Sequence, residues 1–409
     1  MTTAITIGMI IIYVAIMMGI GVYTARQTRS VSDFVLGSHS VGSWLTAFAY
    51  GTSYFSAVVF IGYAGQFGWT YGVSAAWVGI GNALLGSLLA WIVLGRRTRI
   101  MTQSLGAKTM PEYFEKRWNS KGLKIAAALI VFVFLIPYTA SVYNGLSRLF
   151  NMAFQIESEG AYKIIIIVMA LLTAIYVILG GYAATAINDF IQGIVMLIGI
   201  AAVVICAIQN QGGLTSALAA LGEIEVNGKT NTLNSVFGPD PLNLLGVVIL
   251  TSLGTWGLPQ MIHKFYAIKS ENDIKKGAVI STVFALIVAG GSYLLGGFDR
   301  LFCTLTEDGS GKTVISTLSN GKPDFDAMIP SLLHTALPDI LIGLVVVLVL
   351  SASMSTLSSL VLTSSSTLTI DLIKPNLKKC SDKKEMLIMR VLIAVFLVIS
   401  VPVSYTHLR

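Results

Sequence analysis

The stretch at residues 348–367, LVLSASMSTLSSLVLTSSST, combines the composition of a membrane helix with eleven hydroxyl groups. Positions three and four apart on a helix share one face. That face carries a small residue and several hydroxyls, namely Ala352, Ser355, Thr356 and Ser359, with Ser358 beside them. Neutral oxygens can replace the water around a hard monovalent cation such as sodium and still release it. Small and hydroxyl residues also let membrane helices pack closely, so the spacing leaves sodium binding and packing both open.

A second unusual stretch, YGTSYFS at residues 50–56, lies in the middle of an apolar run and is poor in strong helix formers. A helix can open at such a place inside a membrane. The freed backbone carbonyls must then find partners, and a bound ion is one. A mild kink or a glycine packing site is the alternative explanation.

Asp189, in TAINDFIQGIVMLIGI, is the one carboxylate well inside an apolar run. Carboxylates at membrane depth are costly and usually face a cavity or a partner. Together with serines, this one could hold a second cation. The alternative is an interfacial residue that reaches water.

The seventh apolar run contains Gly254, Gly257 and Pro259, which can break its helix because proline removes a backbone donor. The two breakable runs are the second and the seventh, five apart. An inverted five-helix repeat with its binding site at the breaks predicts this arrangement.

The composition excludes an ordinary soluble fold, because only 11% of the 409 residues are charged, against roughly 25% in soluble domains. The mean hydropathy is +0.78. A spanning helix needs about 20 apolar residues. The runs long enough to span are at residues 4–24, 42–66, 72–95, 122–153, 161–179, 183–208, 241–265, 276–299, 338–370 and 385–405. The first is expected to be a retained helix, since it lacks the features of a signal peptide.

Lys and Arg in the loops predict the orientation. With the N-terminus outside, 19 of the 27 basic residues lie in inside loops, Lys264 among them, and 6 in outside loops. We therefore expect a multi-pass protein of the cell (plasma or inner) membrane. The outside loops at 209–240 and 300–337 are predicted to be lids, gates or solvated loops. The basic residues form no nucleic-acid footprint, so we expect no nucleic-acid partner.

The sequence gives little support for a metal site or for redox chemistry. Cys206, Cys303 and Cys380 are far apart in the sequence and form no CxxC or Cys/His spacing. HExxH, GxSxG, P-loop and histidine-cluster motifs are also absent from the sequence. The chain is therefore not expected to be an enzyme.

Five segments in order resemble the sodium/solute symporter family, closest to its proline and pantothenate branch. They are TAFAYGTSYFSAVVFIGYAG, LGAKTMPEYFEKRW, GGYAATAINDFIQG, GLPQMIHKFYAIKS and SASMSTLSSLVLTSSSTLTIDL. The resemblance implies an all-α integral membrane protein with a LeuT-like inverted five-helix repeat and an extra N-terminal helix. It divides a single domain, residues 1–409, into the extra helix at 4–24, a first repeat at 42–208 and a second repeat at 241–405. Nine core helices are visible where the family has ten, so we expect the second repeat to be C-terminally incomplete.

The resemblance also carries over two sodium sites. The main one falls on the carbonyls of Thr52, Phe55 and Ala352 and the hydroxyls of Ser355 and Thr356. The second, present in some members, falls on Asp189, Ser355, Ser358 and Ser359. Proline-type members carry an aspartate where this chain has Tyr54, so proline itself is not implied.

The function expected from these features is sodium-coupled symport of a small organic solute by alternating access, in a lipid bilayer. The solute could be an amino acid, a carboxylate, a vitamin or a sugar-like molecule. The candidate substrate contacts, for each of which packing is the alternative, are Tyr50, Tyr54, Tyr138, Trp256 and Gln260. A proton-coupled or uncoupled carrier and a solute-binding membrane sensor or receptor are the rival functions. The sequence leaves sodium stoichiometry and oligomeric state open.

Overall fold

The computed structural model describes residues 2–154, 159–307, 309, 311–318, 321–377 and 381–406. These residues are mostly helical. The α-helices are α1 Thr2–Ala25, α2 Val31–Leu36, α3 Ser43–Tyr54, α4 Ala64–Tyr71, α5 Ala76–Gly81, α6 Arg96–Leu105, α7 Met110–Trp118, α8 Lys121–Phe154, α9 Glu159–Asn210, α10 Leu214–Glu223, α11 Pro241–Leu253, α12 Pro259–Ala267, α13 Glu271–Gly296, α14 Asp299–Phe302, α15 Met328–Ala336, α16 Asp339–Thr367 and α17 Asp382–Thr406. Two short strands, β1 Cys303–Thr304 and β2 Thr313–Val314, pair in parallel.

Several α-helices continue directly into π-helical or 3₁₀ segments. The π-helical segments are Val58–Tyr63, Asn82–Leu88, Trp91–Gly95 and Leu368–Ile373. The 3₁₀ segments are Gly37–His39, Gly72–Ala75, Gly254–Gly257, Phe325–Ala327 and Lys374–Asn376.

Among the described residues, seven helical segments are long and apolar enough to cross a membrane, or eight if a bent pair counts as one span. Two of the seven, Val58–Leu105 and Lys163–Asn210, have 48 residues each. At 1.5 Å per residue each would extend about 72 Å, more than twice a hydrocarbon core of about 30 Å. Each contains a glycine with positive φ, Gly72 at 61° and Gly181 at 55°. We infer that the chain turns at these glycines, and the count of ten spans stays a prediction.

The two predicted helix breaks are confirmed. Helix α3 ends at Tyr54, and Phe55 has extended backbone angles (φ −94°, ψ 112°). Helix α11 passes into a 3₁₀ turn, Leu258 is extended (φ −70°, ψ 121°), and α12 begins at Pro259. The two halves of this second broken helix meet at an angle of 54°. Both breaks therefore leave backbone carbonyls without helical donors inside the protein.

The hydroxyl-rich helix α16 lies at the centre of the molecule. Of the 18 most apolar consecutive residues in Ile340–Asn376, 78% are buried, whereas only 22% of the corresponding residues in Ala4–Ala25 are buried. Helix α16 contacts α1, α3, α8, α9, α12 and α17. Its hydroxyls consequently face other helices.

The segment at 300–337 is more than a solvated loop. Helix α15 buries Met328, Ile329, Leu332 and Leu333 completely. Arg148 on α8 donates to Asp324 at 2.9 Å, which ties this segment to a long helix. Residues 328–336 are therefore not a solvated loop, and they were missed because a nine-residue amphipathic helix is too short to register as a spanning run. For the rest of the segment, lids, gates or solvated loops stay a prediction.

Helices α4 and α13 cross in close contact at two glycines, Gly68 and Gly296. A Cβ added at Gly68 would overlap the backbone of Gly296, and one added at Gly296 would overlap the backbone of Ala64. Such contacts are the reason small residues mark helix interfaces in membranes.

We expect Gly296→Ala to lower the free energy of unfolding by about 1–3 kcal/mol, the usual cost of overpacking. Gly290→Ala is the matched control on the same helix, because a Cβ there meets nothing within 4 Å. Thermal unfolding of the two variants in detergent checks this, and equal midpoints would contradict the close crossing.

Candidate functional site

Four oxygens meet where the break in α3 contacts α16. Ser355 Oγ lies 3.3 Å from the Thr52 carbonyl oxygen and 3.1 Å from the Ala352 carbonyl oxygen. Thr356 Oγ1 lies 3.0 Å from the same Ala352 oxygen. The residues Thr52, Ala352, Ser355 and Thr356 are all fully buried. The structure thus brings together four of the five residues predicted for the main sodium site.

Phe55, the fifth residue of this set, lies in the break itself. Its N–H still donates to the Gly51 carbonyl at 3.1 Å, and its extended angles end the helix there. A hard cation such as calcium is bound by oxygens at about 2.3–2.6 Å. Carbonyls released by a broken helix and neutral hydroxyls are ligands of this kind, and a cation here would redirect the two hydroxyl protons away from Thr52 and Ala352.

Two of the residues predicted for a second sodium site, Asp189 and Ser359, contact a lysine. Lys264 Nζ lies 3.0 Å from Ser359 Oγ and 3.5 Å from Asp189 Oδ2. Ser53 Oγ lies 3.0 Å from Ser359 Oγ on its other side. Ser358 Oγ donates to the Ser355 carbonyl at 2.9 Å, which turns it toward its own helix.

Lys264 itself corrects the loop assignment made from the sequence. It lies within α12 with 2% of its surface exposed, and Asp189 is fully buried. Sequence counting placed Lys264 in a loop because it comes at the end of an apolar run. The half-helix after the break instead continues into the protein, and its residues from Gln260 to Ala267 are all buried.

A cavity of about 400 Å³ opens between the two helix breaks. Residues of the first break (Tyr54, Ser56) and of the second (Gly254, Thr255, Leu258) line it, and so does Tyr138 of α8. Tyr54 donates its hydroxyl to the Thr251 carbonyl at 3.0 Å. The lining residues that the structure describes carry no charge. The cavity can therefore bind a small organic solute through hydroxyls, backbone groups and aromatic rings.

The other three candidate substrate contacts do not line this cavity. Tyr50 donates to the Gly86 carbonyl at 3.1 Å and packs on Trp91 and Phe265. Trp256 donates its indole N–H to the Leu85 carbonyl at 2.9 Å. Gln260 is buried, and its amide has no hydrogen-bond partner among the described residues. Their role as substrate contacts stays a prediction.

Comparison with known proteins identifies the family. The model of the "Sodium:solute symporter family" matches residues 34–406. The "Sodium/proline symporter" of Staphylococcus aureus (strain JH9) is 31% identical over 407 residues, which cover 97% of this chain and 74% of that protein. This chain belongs to the sodium:solute symporter family. The resemblance predicted from the five segments is confirmed.

Solved structures share the fold of this chain. A Na⁺-coupled sialic acid symporter, in a substrate-bound outward-open state, matches with a TM-score of 0.76 at 17% identity, over 98% of this chain and 80% of that chain. A nucleobase-cation-symport-1 family transporter in a closed conformation matches with a TM-score of 0.50 at 13% identity, over 91% and 74% of the two chains. The predicted all-α LeuT-like membrane fold is confirmed.

No role at the helix breaks was predicted from the sequence for three polar residues that the structure places there, Ser53, Asn82 and Lys264. Ser53 was part of the quoted breakable stretch but carried no predicted role. Asn82 Oδ1 accepts from Thr251 Oγ1 and from Ser252 Oγ, each at 3.1 Å, and so joins α11 to the π-helical segment Asn82–Leu88. The signal for Lys264 was its place five residues after Pro259, within one and a half turns of a predicted break.

Proposed function

We propose that this chain couples the uptake of a small organic solute to sodium by alternating access. The observation that carries the proposal is the adjacency of two features at one helix break. Buried neutral oxygens on α3 and α16 meet at Thr52, and the two residues that flank Phe55 in the same break, Tyr54 and Ser56, line an uncharged cavity. Membership of the sodium:solute symporter family supports the same conclusion.

The proposed sodium ligands are the carbonyl oxygens of Thr52, Phe55 and Ala352 and the hydroxyl oxygens of Ser355 and Thr356. The ion would join α16 to the broken helix α3. It therefore favours the conformation in which the break is held against α16. A solute bound in the neighbouring cavity benefits from that conformation, and by linkage the solute strengthens sodium binding by the same factor.

The membrane potential adds to the sodium gradient as a driving force. Moving one charge across the membrane yields roughly 2.3 kcal/mol per 100 mV. Release of sodium into the low-sodium interior removes the link between α16 and α3. The bundle is then free to expose the cavity to the inside.

The proposed solute class follows from the charge of the cavity. The family resemblance implies a carboxylate at the position of Tyr54 in proline-type members, whereas the described residues that line this cavity are uncharged. The sodium ion is then the nearest mobile positive charge. Solutes that carry a carboxylate, or that are neutral and polar, fit this arrangement better than solutes whose ammonium group needs a carboxylate partner.

Thermal unfolding of the purified chain against a panel of solutes tests the proposal. A ligand that binds the native state raises its stability. We expect at least one small organic acid or neutral polar solute to raise the unfolding midpoint in sodium buffer. Most of this increase should disappear when choline replaces sodium. Equal shifts in both salts would overturn sodium coupling.

The solute ranking provides a second prediction. Organic acids and neutral polar solutes should stabilise the protein more than proline, and Tyr54→Phe should change this ranking because the Tyr54 hydroxyl lies at the cavity. Tyr176→Phe is the matched control, since its hydroxyl also donates to a backbone carbonyl, that of Met354 at 3.0 Å, and Tyr176 does not line the cavity. A ranking led by proline and unchanged by Tyr54→Phe would contradict the proposed solute class.

A further inference from the structure

A buried ammonium lies among the residues carried over for a second sodium. Lys264 Nζ has three neighbours: the Asp189 carboxylate at 3.5 Å, the Ser359 hydroxyl at 3.0 Å, and the face of the Tyr182 ring, whose centroid is 5.3 Å away. An ammonium has three N–H donors, and an aromatic face attracts a cation. The surroundings of this nitrogen are those of a bound cation.

The burial of the pair keeps the lysine in place. Among the ion pairs of the described residues, this is the one with the least exposure on both sides, 2% for the Lys264 side chain and 0% for Asp189. Its neighbours along α12, His263 and Phe265, are also buried. The side chain therefore cannot reach water, as surface lysines do by extending along a helix.

A sodium ion and this ammonium would compete for the same oxygens. Sodium bound to Asp189 and Ser359 would lie within a few ångströms of Nζ, and two like charges at that distance in a poorly solvated interior repel each other strongly. The residues present thus fit a tethered ammonium better than a second sodium ion.

We propose that the Lys264 ammonium permanently occupies the second cation position, so that this chain binds one sodium ion and not two. This inference rests on the proposed function and adds its stoichiometry. Lysine acts here as a positioning residue, because it neutralises Asp189 and holds α12 against α16 and α9. The entry of one sodium ion down its electrochemical gradient would consequently drive the accumulation of solute in each transport cycle.

Counting bound sodium on the purified full chain tests this without knowledge of the solute. Equilibrium binding of radioactive sodium should give one ion per chain for the wild type. Lys264→Met removes the ammonium and leaves Asp189 free to bind an ion, so we expect two. Lys269→Met is the matched control, because that side chain is exposed five residues further on, and we expect one.

The location of the single ion provides the second measurement. In the wild-type background, Ser355→Ala combined with Thr356→Ala should abolish binding of the one ion, whereas Asp189→Asn should retain it. The ion counts on the wild type and on the Ser355→Ala, Thr356→Ala double variant, neither of which leaves a buried charge unpaired, decide the question even if Lys264→Met fails to fold. Two ions on the wild type would overturn the tethered ammonium alone. One ion lost in Asp189→Asn but kept in the double variant would overturn it together with the proposed sodium ligands Ser355 and Thr356. No bound sodium on the wild type would instead overturn the proposed function and the inference with it.

Discussion

Replacing Ser355 or Thr356 by alanine is expected to weaken sodium binding about tenfold in each case, while the protein still folds. Each change removes one neutral oxygen from the junction between α16 and the broken helix α3. A polar contact comparable to a hydrogen bond contributes about 0.5–1.5 kcal/mol of free energy. A loss of about 1.4 kcal/mol in binding free energy raises the dissociation constant tenfold. Sodium titrations of thermal stability or of transport measure the loss.

Ser364→Ala is the matched control on the same helix. Ser364 is fully buried like the other two, and its hydroxyl has no hydrogen-bond partner among the described residues. Its truncation therefore removes the same atom without removing a contact. Equal sodium titrations for all three variants would mean that the hydroxyl face of α16 serves packing only.

The second large effect is expected at the buried pair of Lys264 and Asp189. Removing either partner leaves an unpaired charge inside the protein, which costs about 3–5 kcal/mol of stability. In sodium-free buffer, Lys264→Met and Asp189→Asn should each lower the unfolding midpoint strongly. The double variant should recover most of the loss because neither charge is left, and a double-mutant cycle separates the pair from the single effects.

Sodium distinguishes the two single variants. Adding it should restore much of the stability of Lys264→Met, because an ion can then neutralise Asp189. It should restore none of the loss in Asp189→Asn, where the unpaired charge is a positive one. If sodium acts equally on both, Asp189 is not the group that a cation would neutralise. Additive losses in the double variant would show that the two side chains do not interact.

The sequence predicted the elements of this fold that depend on local composition. The apolar runs predicted helices, and the poor helix formers around Phe55 and the glycines and proline from Gly254 to Pro259 predicted both breaks. The hydroxyl spacing placed Ser355 and Thr356 on the face that contacts α3. In each case the signal lies within a few residues of the feature it predicts.

The contacts that the sequence did not predict are long-range. Lys264 meets Asp189 across 75 residues of chain, and only the packing of α12 against α9 and α16 brings them together. A charge count treats every lysine after an apolar run as a loop residue, which is wrong where the run continues as a buried half-helix. Helix α15 was missed because its apolar face is shorter than a membrane span.

Solute uptake into vesicles reconstituted with this chain tests the central claim most directly. With an inward sodium gradient and a negative interior potential, uptake of the solute found in the stability screen should exceed its equilibrium level. It should fall to the level of empty vesicles when choline replaces sodium, and a proton ionophore should leave it unchanged while the potential is clamped. Binding without uptake would show a receptor, and uptake driven equally well in choline by a proton gradient would contradict sodium coupling.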